Sequence, residues 1–581
     1  MILPILRVRI TVVAAFLVVA LQHLASRNVG AADGVDRSAI KAQLDTGEFA
    51  PAINAVQTIP NGPARDAVLA QIAVAQNQAG DRGAAINTVF GMTSDQSRSD
   101  SLGNLGPSTG PQGKGGFGGN QADFDSLIDL ITSTIAPTTW TDSGGTGSIA
   151  PFPTGVYVDP QGVLRLLAED ESGGLTALRR SAVAEGQSAN ARRTSPLRKI
   201  SLTRLEREVQ RLAALGRQPT EEMRVLSGLQ RIKYVLVYPE THDLVIVGPA
   251  GDWQYDDTGR LVGKESGRPV VQLDDLVVVL RHMLSAPDAK FGCAITPTQE
   301  ALARTKDFVA ASNKTPLKPG AAERDRWLAK LRDAMGRQKI EVYGLDPGTR
   351  AARVLVEADY RMKLVGVGLE NGVLGVPSYL SMIQVPKGQA APPLDVLRWW
   401  FTLNYDALQA TPDHDGFEFR GQGVKVLSEN ELLTATGQRV HTGASDVLNS
   451  EFARNFTQHF SELAVKYPIY ADLQNMFDLA LLGALIRSEH LADRIDWHMT
   501  CFGNPKQFCV ETLDSPKTVE TVINHRIVNQ SLILVGVSGG VSCDPSKLVQ
   551  PTAMKADYGI LREQRAATKP KANLANVWWW D

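Results

Sequence analysis

The chain has 581 residues, a length that predicts roughly three to five compact units. Hydrophobic residues make up 43% and charged residues 21%, which is the composition of a globular protein with enough apolar material for buried cores. The 60 Lys and Arg residues balance the 62 Asp and Glu residues, and the resulting net charge of -2 indicates neither a nucleic-acid partner nor an anionic membrane surface.

The first residues have the three parts of a signal peptide. A basic region with Arg7 and Arg9 precedes a largely apolar stretch, Ile10 to Leu21, that is too short for a comfortable membrane span. The small residues that follow fit cleavage near Ala31 or Ala32. We therefore predict a signal peptide over residues 1–32 and an exported protein, periplasmic or extracellular. An uncleaved N-terminal anchor is the alternative.

The best remaining candidate for a membrane span is Leu479 to Ile486, bounded by Asp478 and Arg487. It is too short to cross a bilayer, so it predicts a buried core helix and no membrane span after signal cleavage.

An internal repeat marks a helical domain over residues 36–92. "TGEFAPAINAV" begins at Thr46, "AGDRGAAINTV" begins at Ala79, and the helical spacing of Ala64 to Ala79 lies between them. A period near 33 residues built from paired helices resembles the tetratricopeptide class, which binds protein partners. A plain helical hairpin without a binding groove is the alternative, because only about two units are visible.

Two short segments follow the helical domain. Residues 93–121 hold eight glycines between Gly103 and Gly119 and predict a flexible Gly/Ser-rich linker. Residues 122–168 predict a small α+β unit, with a helix that starts at Asp123 and short strands near residues 146–149 and 156–158.

The rest of the chain predicts a mixed α/β and α+β, multidomain architecture. We divide it into a mixed α/β domain at residues 197–390, a mixed C-terminal part at 391–560 with a helical pair at 451–489, and a tail at 561–581. In the first of these, "IKYVLVYPETHDLVIVG" consists of two β-rich runs around a turn and predicts a hairpin.

The chain contains five long and specific stretches: "RIKYVLVYPETHDLVIVGPAGDW", "FGCAITPTQEALA", "ARVLVEADYRMKLVGVGLE", "RWWFTLNYDAL" and "GVKVLSENELL". They resemble a planctomycete family of exported proteins built on a domain of unknown function, numbered 1598. The resemblance covers roughly Arg217 to Trp580. It implies export, and it implies no activity, cofactor or ligand. Separately, "LIDLITSTIAPTTWTDSGGTGSI" is similar to a stretch of some planctomycete secretin-like and repeat proteins.

Ser538 lies in "VGVSGGV", which fits the G-x-S-x-G pattern of a nucleophile elbow. An elbow needs a strand, a sharp turn and then a helix, but the following "VSCDPSK" is a poor helix former. The last histidine in the chain, His525, precedes the serine, whereas the elbow order places it after. We therefore favour a strand followed by a Gly-rich turn, with a serine nucleophile as the alternative.

A second group of candidate residues surrounds residues 490–509. His490 and Asp493 are three residues apart and could share a helix face, and His498 and Cys501 have the same spacing. No zinc motif accompanies them, so a polar helix end is favoured over a metal site. Cys501 and Cys509 are close enough in sequence to form a disulfide in an exported protein; buried free thiols are the alternative.

The sequence has two tryptophan clusters, Trp399-Trp400 and Trp578 to Trp580. We favour core packing for them, with a C-terminal tail that docks back onto the protein; the alternative is an exposed anchor for a partner or sugar.

Taken together, the sequence favours an exported binding or scaffolding protein of the cell envelope without enzymatic activity. A protein partner would bind through the helical repeat, and no cofactor or metal is predicted. The alternatives are a secreted serine hydrolase that uses Ser538 and an accessory component of an envelope secretion system.

Overall fold

The computed structural model divides into a helical unit, Met1–Thr109, and an α/β unit, Gly110–Asp581. It describes residues 40, 41, 44, 49–78, 82–105, 148–152, 155–159, 191–286, 289–312, 314, 321–384, 395–433, 439–513, 515–528, 531–557, 559–570 and 577–581. The predicted signal peptide, the helix expected from Asp123 and the secretin-like stretch before residue 148 therefore lie outside the described residues.

The described residues of the helical unit include the helices α1 (Phe49–Val56), α2 (Pro63–Gln78), α3 (Arg82–Phe90) and α4 (Asp95–Asn104). The two repeat sequences form α1 and α3, and the predicted helix between them is α2.

The predicted start of the flexible linker at residue 93 is wrong, because the helix α4 occupies the first part of the segment 93–121. The buried Asp66 of α2 accepts hydrogen bonds from the backbone N–H groups of Thr93 and Ser94 at 2.8 and 2.9 Å. Ser94 also caps α4 by accepting from the N–H of Ser97. These contacts fix residues 93–105 to the helical unit, and the rest of the predicted linker lies outside the described residues.

The first described elements of the α/β unit form a two-stranded hairpin, β1 (Ser148–Phe152) and β2 (Gly155–Asp159), close to the two strands that the sequence predicts there. The following elements are, in chain order, β3 (Ser195–Ser201), α5 (Leu202–Ala214), α6 (Glu221–Arg224), β4 (Tyr234–Tyr238), β5 (Asp243–Ala250), β6 (Trp253–Tyr255), β7 (Leu261–Gly263), α7 (Leu273–Ser285), β8 (Phe291–Pro297), α8 (Gln299–Ser312), α9 (Ala321–Met335), β9 (Arg337–Tyr343), α10 (Arg350–Val367), α11 (Tyr379–Met382), β10 (Asp395–Asn404), β11 (Ala407–Ala410), β12 (Gly416–Arg420), β13 (Gly423–Leu433), β14 (Arg439–His441), α12 (Val447–Gln458), α13 (Phe460–Lys466), α14 (Ile469–Ser488), α15 (Leu491–Arg494), β15 (Thr518–Glu520), β16 (Ile523–Val528), β17 (Ser531–Cys543), β18 (Met554–Ala556), α16 (Ile560–Thr568) and β19 (Trp579–Trp580).

Two mixed sheets organise this unit. One has the strand order β18-β11-β12-β4-β5-β3-β19, and the other has the order β14-β13-β10-β17-β8-β9-β15 with β16 also paired to β17. In both sheets, strands that precede residue 390 are hydrogen-bonded to strands that follow it, as in the β12–β4 and β17–β8 pairs. The boundary predicted at residue 390 therefore does not separate two compact units.

The helix α14 lies at the centre of the core. All of its residues from Ile469 to Ile486 are buried, and it packs against α7 and α10. It is also the one helix among the described residues that is long and apolar enough to cross a membrane, and its apolar stretch is completely buried inside the unit. This confirms the core helix predicted around residues 479–486.

A buried ion network joins three helices of this core and the turn before β7. Arg350 of α10 pairs with Asp472 of α14 at 2.8 Å and with Asp275 of α7, while Arg260, which precedes β7, pairs with Glu357 of α10 at 2.9 Å and with Asp472. Charges of opposite sign alternate, so each carboxylate removed from water has at least one guanidinium partner. The network fixes the relative positions of α7, α10 and α14.

The network makes the stability of the α/β unit depend on pH. Burial raises the pKa of Asp275 from 3.8 to about 7, against the opposing effect of Arg350 and with a further increase from Asp472. The folded state therefore binds a proton more tightly than the unfolded state, and stability falls as pH rises from about 4 to about 7, by at most roughly 4 kcal/mol. The free energy of unfolding is measured by urea denaturation between pH 5 and 8. We expect its decrease with rising pH to be smaller for Asp275→Asn than for the wild type, and unchanged for Asp493→Asn, a control at an exposed site. Equal slopes in all three proteins would contradict the assignment.

Both tryptophan clusters pack as the core-and-docking interpretation predicts. Trp399 is fully buried on β10, whereas its neighbour Trp400 is half-buried, with the guanidinium of Arg398 4.5 Å from its ring centroid. Trp579 and Trp580 form β19, which pairs antiparallel with β3.

Candidate functional site

A cleft lies where α7 and α14 end together. The two helices approach closely at Gly483, where a Cβ atom would lie only 2.6 Å from the Cβ of Met283. Beyond this crossing, the last turns of both helices and residues 490–505 border an open cleft with a volume of about 680 Å³. A volume of this size suits a small molecule or a short chain segment. The apolar residues of the lining are Leu280, Leu284, Ile486, Ala492, Trp497 and Met499.

The segment 490–505 is held in place from two sides. The buried Glu206 of α5 accepts hydrogen bonds from the backbone N–H groups of Cys501 and Phe502, at 2.8 and 2.6 Å, and from the indole N–H of Trp497. From the other side, Arg281 of α7 donates to the backbone carbonyl of Phe502 at 2.6 Å. One wall of the cleft is therefore fixed before any ligand binds, which lowers the entropy cost of binding.

The same segment contains three residues in left-handed backbone conformations. His490, Asp496 and Met499 have φ values of 51°, 54° and 49°. Such conformations are unfavourable for residues other than glycine and persist where the surrounding contacts impose them. Here the imposed turns bring His490 and Met499 into the cleft lining.

The polar side chains that line the cleft are those of Arg281, Ser285, Arg487, His490, Asp493 and His498. Arg281 and Arg487 form no ion pair within the described residues; both donate to backbone carbonyls, Arg487 to that of Ala286. His490 and His498 each lie beside an aspartate, at 3.4 Å from Asp493 and 3.0 Å from Asp496. The cleft thus presents hydrogen-bond donors beside an apolar wall, an arrangement that can orient a bound molecule.

The candidate metal ligands, His490, Asp493, His498 and Cys501, do not form one cluster. No group of three or more His, Cys, Asp or Glu side chains within the described residues could hold a metal ion. His490 and His498 each contact a different aspartate, and Cys501 is buried beneath the loop.

The disulfide predicted between Cys501 and Cys509 is not formed in this structure. Cys501 is buried and Cys509 is exposed, with its thiol 3.3 Å from the carbonyl of Pro505. Burial and the neighbouring Glu206 raise the pKa of Cys501 to about 12 against the effect of Arg281, so this thiol is protonated at neutral pH and unreactive. The pairing stays a prediction for the exported protein. Peptide mapping without reduction tests it, and alkylation of both thiols would contradict it.

Ser538 lies in the middle of β17, opposite Arg398 of β10 in the ladder. It is 2% exposed, and its hydroxyl lies 3.4 Å from the carbonyl of Leu397. The strand continues through Gly539 and Gly540 to Cys543, so the Gly-rich turn predicted after the strand is wrong. The motif has no elbow geometry, because neither a turn nor a helix follows the serine.

We expect Ser538→Ala to leave the fold intact and to change the free energy of unfolding by about 1 kcal/mol, the usual cost of losing a neutral hydrogen bond such as the 3.4 Å contact to the carbonyl of Leu397. A fluorophosphonate probe should leave the folded wild-type protein unlabelled, since the hydroxyl is buried in a ladder. Labelling that disappears in the alanine variant would contradict this placement.

The sequence directed attention to residues 490–501 but missed the partners that build the cleft. Arg281 and Glu206 lie more than 200 residues before the loop they hold. Neither belongs to a motif, so no local pattern in the sequence could have revealed their role.

Comparison with known proteins identifies one segment of this unit. Residues 293–379 match the family model described as "Protein of unknown function (DUF1598)". The matched segment runs from the start of β8 to the first residue of α11, and it confirms the resemblance to the domain of unknown function numbered 1598. No curated protein and no solved structure matches the chain. The residues that line the cleft lie outside the matched segment.

Proposed function

We propose that this chain is an exported, non-enzymatic binding protein of the cell envelope whose ligand binds in the cleft between α7, α14 and residues 490–505. The observation that carries the proposal is the cleft itself, a space of about 680 Å³ lined by apolar residues together with arginine, histidine, serine and aspartate side chains. Export is supported by the signal-peptide features of residues 1–32.

The surroundings of the candidate nucleophiles and of the cleft histidines support binding rather than catalysis. Ser538 is embedded in a strand, Cys501 is a protonated buried thiol, and the histidines of the cleft are beside aspartates on the protein surface. Neither the serine hydrolase alternative nor the secretion accessory alternative gains support from any contact among the described residues.

The helical unit adds a second, protein-binding element to this proposal. Its helices α1 and α3 carry the repeated sequences. The helix α2 lies between them along the chain and contacts both, as expected for a tetratricopeptide-like pair of repeats. In the proposed protein the repeats bind a protein partner while the cleft binds a smaller molecule.

A ligand-observed NMR screen of small molecules, with a variant that fills the cleft, tests the proposal. Leu284→Trp places a large side chain in the lining, and Leu427→Trp on β13 is the matched control at a partly exposed site outside it. We expect compounds that bind the wild type and the Leu427→Trp protein to lose binding to the Leu284→Trp protein. Compounds that bind all three proteins equally, or no binding compound at all, would contradict the proposal.

A further inference from the structure

Residues 577–581 lie along the edge of the first sheet as an added strand. Trp579 and Trp580 pair with Ile200 and Lys199 of β3, and the N–H of Ser201 donates to the carbonyl of Trp578 at 2.9 Å. An extended peptide that binds an exposed sheet edge uses the same geometry, in which backbone bonds give affinity and side-chain pockets give specificity.

The specificity at this edge comes from Arg198 of β3, whose side chain is fully buried. Its Nε and Nη2 donate to the two carboxylate oxygens of Asp581 at 2.9 and 3.0 Å, and its guanidinium lies 4.7 Å from the ring centroid of Trp579. Partial burial acts to raise the pKa of Asp581, but hydrogen bonds from Arg198 and Ser195 outweigh it and lower the pKa below its ordinary value.

Contacts inside the unit hold Arg198 ready for this carboxylate. Nη1 donates to the carbonyl of Ser227 at 2.6 Å and to that of Ala191, and Nη2 donates to the carbonyl of Arg193 at 2.8 Å. These neutral acceptors orient the guanidinium but leave its charge uncompensated until a carboxylate binds, so the site selects an acidic residue.

The aromatic residues of the segment complete the recognition. Trp578 is 7% exposed and packs in the main core, whereas Trp579 and Trp580 are half-buried on the sheet edge. The ring of Trp580 lies 6.0 Å from the guanidinium of Arg204. The edge therefore fits a strand with three aromatic residues followed by an acid.

We propose that the edge of β3 around Arg198 is a strand-docking site that accepts residues 577–581 from a second copy of this chain as well as from its own. The contacts depend on the sequence of the segment and on extended backbone, and a second copy supplies both without any change. Exchange of an identical element between copies is a common route to association. Within one chain the tethered segment has the higher effective concentration, so association requires that the chain's own segment be absent or displaced.

Complementation between two variants tests this proposal. One variant lacks residues 577–581 and keeps the docking site, and the other carries Arg198→Gln and keeps the segment. We expect each to be monomeric alone and the mixture to form a 1:1 heterodimer by size-exclusion chromatography with light scattering. Adding Asp581→Asn to the Arg198→Gln chain should weaken the heterodimer at least tenfold. A mixture that stays monomeric would overturn the proposal.

A second experiment tests the proposal if the variant that lacks residues 577–581 does not fold. A protease site inserted between residues 570 and 577 allows the complete chain to fold before it is cut. We expect the released segment to exchange with a fluorescent VWWWD peptide, measured by anisotropy, and we expect Arg198→Gln to weaken peptide binding at least tenfold. No exchange over several days, or equal binding by both proteins, would overturn the proposal.

Discussion

Replacing Lys363 with methionine is expected to destabilise the α/β unit by about 3–5 kcal/mol. Lys363 and Asp359 lie one turn apart on α10 with both side chains fully buried, and the ammonium lies 2.7 Å from the carboxylate. Without the ammonium, Asp359 remains in the core without its counter-charge. Burial already raises the pKa of Asp359, against the opposing effect of Lys363, so loss of the ammonium raises that pKa further. The midpoint of urea unfolding of this unit measures the loss.

The double variant Asp359→Leu, Lys363→Met provides the control. Replacing a buried ion pair by apolar side chains of similar volume is often neutral or stabilising, so we expect the double variant to recover most of the stability lost by the single one. A double variant as unstable as the single variant would show that the loss comes from packing and not from an unpaired buried charge.

The second large effect is expected from Gly540→Ala in β17, with a loss of at least about 3 kcal/mol or failure to fold. A Cβ atom at residue 540 would lie 1.9 Å from the carbonyl oxygen of Cys293 in the neighbouring strand β8. The obstacle is backbone in a hydrogen-bonded ladder, so no side-chain rotation can relieve the collision.

The neighbouring Gly536→Ala is the matched control on the same strand. A Cβ at residue 536 meets only the terminal methyl group of Met335, at 3.6 Å, which is ordinary van der Waals contact. We expect its urea midpoint to lie close to that of the wild type. Equal urea midpoints for the two alanine variants would contradict our interpretation that close strand packing requires glycine at residue 540.

Local patterns in the sequence were sufficient for several elements. The hairpin β4–β5 follows two β-rich runs around a Pro-containing turn, and α10 follows helical spacing from Ala351 to Val365. The first of the two helices predicted at residues 451–489 is instead divided between α12 and α13 at His459. His459 is neither Gly nor Pro, so its residue type gives no local signal for the break.

The sequence failed where distant strands meet. The glycines of β17 resemble a turn, but they are required because the carbonyl groups of Trp399 and Cys293 approach the strand from both sides. Likewise, the cleft depends on Glu206 and Arg281, whose contacts with residues 497–502 exist only after the chain has folded.

Whether the cleft binds without reaction is tested most directly by mass spectrometry of a ligand from the NMR screen after incubation with the protein. We predict that the ligand is recovered with unchanged mass, in at most a 1:1 ratio, from the wild-type protein and the Leu427→Trp control. We also predict that the Leu284→Trp protein retains none. A product that accumulates in excess of the protein, or equal retention by the Leu284→Trp protein, would contradict non-enzymatic binding in this cleft.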